Sequence, residues 1–116
     1  IGTYTVSFGT TLTVEVYDDF DGTNLTGLLK AIPAKYCNYP GFRQIDFPEP
    51  LRIDEGDDFY VKVKYGSPGC DFPIASEGYD EGYSDPDIES GMCWTREENG
   101  PWEAIGLGTG FDADLC

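Results

Sequence analysis

Hydrophobic residues in this chain recur every second position, and no window sustains a period of 3.6. The clearest case is "DDFYVKVKY", where Phe59, Val61, Val63 and Tyr65 alternate with Lys62 and Lys64. Period-two alternation puts apolar side chains on one face of an extended strand. "TYTVSF" alternates through Tyr4, Val6 and Phe8, and "LTVEVY" through Leu12, Val14 and Val16. With Gly9 between them, these two runs read as a hairpin. "FRQIDF" alternates less cleanly, and "MCWTRE" and "FDADLC" are short further candidates. "NLTGLLKA" is the best helical segment, but Gly27 interrupts it and Pro33 stops it; one or two turns are the most it could form.

Turn formers separate the strands: "DGTN", "YPG", "PEP", "DEGDD", "SPG", "SDPD", "ENGP" and "GLGTG". Short strands at regular spacing predict an antiparallel β-sandwich or barrel. The length, 116 residues, predicts a single domain over 1–116. Residues 77–91 carry six acids and little apolar content, and are expected to form a long surface loop.

Charge narrows the function classes. There are 22 acidic residues against 7 basic ones, no histidine, and a net charge of −15. Such a surface repels nucleic acids and anionic lipid. No apolar run is long enough to span a bilayer as a helix. Ile1 opens a strand pattern, without a basic region and apolar core before it. Either a signal has been removed or the chain is a piece of a longer protein.

Without histidine, serine–histidine and cysteine–histidine catalysis are excluded. Carboxylate pairs are inevitable among so many acids, and no phosphate-binding glycine loop is present. The expectation is a protein that is not an enzyme and needs no cofactor. Four scattered cysteines, Cys37, Cys70, Cys93 and Cys116, lack metal-ligand spacing and read as two disulfides in an oxidising compartment. Three pairings are open. If residues 42–47 pair with 59–65, Cys37 meets Cys70; if 91–96 pair with 111–116, Cys93 meets Cys116.

Three surface features could carry function. Asp18, Asp19 and Asp21 precede Gly22 in an oxygen-rich turn, and calcium is a candidate ligand there. The segment fails the EF-hand pattern, since Asn24 stands where glycine belongs and Lys30 where the bidentate glutamate belongs. Aspartates are in any case favoured in turns. Asn24-Leu25-Thr26 is a glycosylation acceptor at a loop tip. Tyr79, Tyr83 and Trp102 lie in or near loops, where aromatic faces can stack on a ligand, whereas Trp94 in "MCW" belongs to the core.

"VEVYDDFDGTNLTGLL", "GDDFYVKVKYGSPGCDFPIA", "GYSD" and the final "DADLC" resemble the lectin-like domain of large secreted bacterial and archaeal proteins. That domain often accompanies cysteine peptidases or arrays of surface modules. The match covers most of the chain. The resemblance implies a jelly-roll-like β-sandwich, disulfide-stapled here, that is not catalytic; no site residue is carried over from it. Such domains usually start before Ile1 and run beyond Cys116, so open sheet edges completed by a neighbour are expected.

Two functions follow as expectations. One is an extracellular adhesion module, secreted or at the cell surface, that binds carbohydrate or protein. The other is a structural subunit assembled by strand addition into a filament or surface layer, a homopolymer.

Overall fold

A computed structural model describes residues 1–109 and 112–115. Every element in it is a strand: β1 (Gly2–Thr5), β2 (Thr10–Phe20), β3 (Leu25–Cys37), β4 (Gly41–Gln44), β5 (Tyr60–Gly66), β6 (Ser76–Gly78), β7 (Cys93–Thr95), β8 (Glu103–Ile105) and β9 (Ala113–Leu115). All pairings are antiparallel. The chain forms two compact units, Ile1–Pro73 and Ile74–Cys116.

The first unit is built on β2, the central strand of the sheet β3-β2-β5. Thr10, Leu12, Val14 and Val16 are buried, and the residues between them are half-exposed. Ile32 of β3 and Val63 of β5 flank Val14, and Cys37 lies opposite Thr10. Ile1 and Ile45, at the ends of the β1–β4 pair, close over Leu12 and Val14 to complete the core. These two residues exchange backbone hydrogen bonds of 2.8 and 2.9 Å. Burying one such aliphatic side chain stabilises by roughly 1.5–3 kcal/mol, an upper estimate for an extended unfolded reference.

Several expectations are corrected. β1 does not form a hairpin with β2; it pairs with β4, and the turn around Gly9 carries the chain between sheets. The face shared by Tyr4, Val6 and Phe8 is the outer one. Those three are exposed, while Thr3 and Thr5 are buried. Alternation fixes which residues share a face but not which face is covered. Here the inner row is polar and satisfied: Thr3 Oγ1 meets the Tyr65 hydroxyl, and Thr5 Oγ1 donates towards the carbonyls of Tyr39 and Gly41. β5 is a sheet edge, so only Val63 and Tyr65 reach the core, while Val61 is 41% exposed.

The segment read as partly helical, "NLTGLLKA", belongs to the 13-residue strand β3. Two irregularities let it pair along β2. Pro33 and Ala34 face Thr13 across one register shift, so Pro33 is accommodated at a bulge. Leu29 is the extra residue at the other. Gly27 has φ of +65°, and a Cβ there would stand 2.6 Å from Asp18 Cβ. Glycine is therefore required both by the backbone and by the approach of β2.

In the second unit β6 pairs with β9 and β7 with β8. The expected strands near 93 and 113 form, but they do not pair with each other. The acidic segment 77–91 is mainly loop; β6 overlaps its start, and a bridge between Asp80 and Ser84 closes a small turn within it.

Candidate functional site

The concavity that stands out in the first unit has a volume of about 660 Å³ and opens broadly to solvent. Its floor is a row across the outer face of the sheet, Tyr36–Thr11–Gly66, one residue from each strand. Phe8 and Gly9 form one wall, Ser67 and Pro68 the other. Phe8 is 68% exposed and Tyr36 64%. The Tyr36 hydroxyl reaches over the turn, 3.3 Å from where a Cβ on Gly9 would stand.

Both walls hang on one buried side chain. Thr10 has no exposed surface. Its hydroxyl donates to the Ser7 carbonyl at 3.0 Å and lies 2.8 Å from Ser67 Oγ. With the single Thr10 proton on Ser7, the Ser67 hydroxyl supplies the proton of the second bond. Thr10 thus ties the Phe8 turn to the Ser67 turn.

Gly66 decides the depth of the concavity. Its backbone does not need glycine, and an added Cβ would meet Thr11 only at ordinary contact distances of 3.6 and 3.8 Å. The fold tolerates a side chain there, which would fill the floor instead. The lining combines aromatic faces with hydroxyls of Thr11, Tyr36 and Ser67, and contains no ionisable carboxylate or amine. That chemistry suits a neutral polyol or an apolar face, and lacks an acid–base pair for hydrolysis.

Sequence reasoning missed this site. The alternation of Tyr4, Val6 and Phe8 marks a shared face but not a site, "SPG" carries only a turn signal, and nothing local singles out Tyr36. An exposed aromatic beside Gly9 is the one local signal available, and only the register across three strands reveals the rest.

The anticipated site residues lie elsewhere. Asp21 is a turn cap: Oδ1 accepts the N–H groups of Thr23 and Asn24 at 2.8 and 2.7 Å. Those backbone bonds, with the Asn24 side chain, lower its pKa. Asp19 Oδ1 accepts the Phe20 N–H at 2.8 Å, and Asp18 packs beside Gly27. Among the described residues no group of three or more carboxylates or thiols is arranged to hold a metal ion. Asn24 is exposed, with its amide nitrogen 3.4 Å from Asp21 Oδ2.

Tyr79 and Tyr83 are exposed around the 80–84 turn, Tyr83 to 91%. Trp102 is half-buried, with the Arg96 guanidinium 4.5 Å above its ring. A cation–π contact of this kind covers one face of that ring. Trp94 is half-buried in β7.

The cysteines do not staple the first unit. Cys37 and Cys70 are free thiols. Cys37 lies inward opposite Thr10, and β2 separates β3 from β5, so the 42–47 and 59–65 strands expected to bring the two cysteines together are not neighbours. Cys93 is also a free thiol; it donates to Asp114 Oδ1 at 3.0 Å. Burial and that carboxylate push its pKa up to about 11. Cys116, the other half of the second expected pair, lies outside the described residues.

A family model described as "Lectin like domain" matches residues 1–115. The chain belongs to the lectin-like domain family. This match spans both compact units. No curated protein matches the chain, and neither does any solved structure. Family membership points to a binding module, in keeping with an open concavity lined by rings and hydroxyls. No helix among the described residues is long and apolar enough to cross a membrane.

Proposed function

We propose that this lectin-like domain is a non-catalytic extracellular binding module, secreted or on the cell surface, whose ligand is carbohydrate. The observation that carries it is the Phe8–Tyr36–Gly66 concavity. Sugars present patches of C–H groups to aromatic faces and a rim of hydroxyls to side-chain oxygens, and this lining offers both. A jelly-roll-like sandwich is the architecture we assign around it. The sequence charge of −15 keeps such a protein soluble and away from anionic surfaces.

A printed glycan array tests the reading. Wild-type protein is expected to bind a restricted set of glycans, and Gly66→Val to lose them while melting at nearly the same temperature. Equal binding by the two proteins would place the ligand elsewhere.

The filament alternative has a specific observation for it: β3 presents an exposed edge along 13 residues. Three features oppose it. Pro33 interrupts the donor row, Lys30 and Lys35 place charges on the strand, and the two register shifts break its regularity. Each is a device that blunts edge-to-edge pairing. Sedimentation of a monomer at all accessible concentrations is the expected outcome, and polymers would restore the alternative.

Two modifications belong to the proposal. Asn24 is exposed in its turn, so a glycosylating host is expected to modify it, with a mass increment absent from Asn24→Gln. The Cys93–Cys116 bond is kept as a proposal because Cys93 stands against Asp114, two residues before Cys116 in the sequence. Non-reducing peptide mapping tests it; in the same experiment Cys37 and Cys70 are expected as free thiols.

A further inference from the structure

The loop joining β7 to β8 holds the one asparagine of the chain that a glycine follows. Asn24 precedes Leu25, Asn38 precedes Tyr39, and Asn99 precedes Gly100. Residues 97–100 form a turn closed by the Gly100 N–H, which donates to the Glu97 carbonyl at 3.1 Å. Asn99 is exposed in it, and no hydrogen bond holds its side chain among the described residues. Its amide carbon can therefore swing towards the backbone nitrogen of the next residue.

That carbon is an electrophile, and the following backbone nitrogen is the nucleophile nearest to it in the chain. Their reaction depends on what the next residue carries. A Cβ crowds the attacking nitrogen, and glycine has none. Leu25 and Tyr39 put whole side chains there, and the Asn24 amide is also held 3.4 Å from Asp21 Oδ2. Asp21–Gly22 is the acid counterpart of Asn99–Gly100, and it is protected. Asp21 Oδ1 already accepts the N–H groups of Thr23 and Asn24, and those bonds favour the carboxylate, a poor electrophile.

We propose that Asn99 is a site of spontaneous covalent modification, converting through a cyclic imide to aspartate and isoaspartate. The Gly100 nitrogen gives its proton to hydroxide and bonds to the Asn99 amide carbon. The bond from that carbon to Nδ2 breaks, and the amine takes a proton from water and leaves as ammonia. A second water opens the ring at either carbonyl. One opening gives aspartate. The other routes the backbone through the side-chain carboxyl and lengthens it by one carbon. Nothing is oxidised or reduced: an amide and water give an acid and ammonia.

Either product changes the turn. Both add a carboxylate beside Glu97 and Glu98, in a unit whose one basic residue, Arg96, lies over the Trp102 ring. Isoaspartate also inserts a backbone carbon between the Glu97 carbonyl and the Gly100 N–H, the two ends of the turn hydrogen bond. The site belongs to Ile74–Cys116 and does not depend on the reading of the concavity.

Incubation of the folded protein in mildly alkaline and mildly acidic buffer provides the test, read by peptide mapping with mass spectrometry and by labelling with an isoaspartyl methyltransferase. Asn99 should convert ahead of Asn24 and Asn38, faster in alkali, with isoaspartate among the products. Gly100→Ala is the diagnostic variant. Gly100 has no positive φ, and a Cβ there would meet Glu97 only at 3.7 Å, an ordinary contact. Its melting temperature should match that of the wild type while conversion slows about tenfold. Asn99→Gln, whose longer side chain closes a less favourable ring, should slow conversion too and serves if the alanine variant misfolds. Conversion of Asn24 or Asn38 as fast as Asn99, or an Asn99 rate untouched by Gly100→Ala, would overturn the proposal. Conversion confined to protein unfolded in urea would overturn it as well, because the Glu97 hydrogen bond would then be holding the Gly100 nitrogen back.

Discussion

Thr10 shows how one side chain can set a site without touching its ligand. Its hydroxyl joins two turns that the chain separates by more than fifty residues. Thr10→Val keeps the shape and removes the hydroxyl, leaving the Ser7 carbonyl and Ser67 hydroxyl to find other partners. A loss of about 1–3 kcal/mol in urea unfolding is expected, with weaker glycan binding; an unchanged midpoint would show that the turns hold themselves. Glu15 is a second informative residue. Its carboxylate accepts Lys62 at 2.6 Å and the Tyr17 hydroxyl at 2.9 Å. The Lys62 hydrogen bond leads the causes that lower its pKa, against a smaller opposing effect of burial. A carboxyl with a depressed folded pKa stabilises above its unfolded value, and that contribution fades as pH falls through the folded one. Glu15→Gln should therefore cost up to about 1 kcal/mol at pH 7, and progressively less as the pH falls below the ordinary carboxylate range. Cys93 has the opposite sign: its raised pKa favours the thiol, a contribution complete below pH 9 and lost as pH rises towards about 11. In reduced protein at pH 8 roughly one part in a thousand is thiolate, so iodoacetamide should label Cys93 far more slowly than Cys70. Equal rates would mean that Asp114 does not hold it.

At the scale of the element, the sequence is most legible where one strand satisfies its own pattern. β2 was visible because Leu12, Val14 and Val16 alternate and all three are buried by flanking strands. β3 was not. Leu28 and Leu29 stand side by side in no consistent period, exposed at a bulge, and no local rule announces that Gly27 and Pro33 mark irregularities in a strand instead of the ends of a helix. β5 lies between these cases: its alternation is correct, but a sheet edge buries only part of the row. The consequence is measurable. Val14→Asp places a carboxylate without a partner in the core and should cost several kcal/mol. Val61→Asp should cost less than about 1 kcal/mol, in the range of surface changes. Similar losses for the two would return Val61 to the interior. Gly27→Ala, strained in φ and colliding with Asp18, should destabilise by more than the roughly 1 kcal/mol that alanine ordinarily gains over glycine, with opposite sign.

For the whole molecule, fold class and family were legible and the site was not. Turns and alternation sufficed for an all-β antiparallel chain, and several sequence phrases sufficed for the lectin-like family. The concavity draws Phe8, Thr11, Tyr36 and Gly66 from three strands and a turn, so it exists only once register is fixed. Charge is also unevenly shared. Ile74–Cys116 holds half of the 22 acids and one of the seven bases, Arg96, whereas the concavity belongs to the other unit and is uncharged. This contrast separates the two candidate aromatic groups, Phe8 with Tyr36 and Tyr79 with Tyr83. Amide chemical-shift mapping during titration with a neutral glycan selected from the array decides between them. The account predicts shifts concentrated at residues 8–11, 36 and 66–67, with the glycan recovered intact. Shifts concentrated at Tyr79, Tyr83 and Trp102, or cleavage of the glycan, would contradict it.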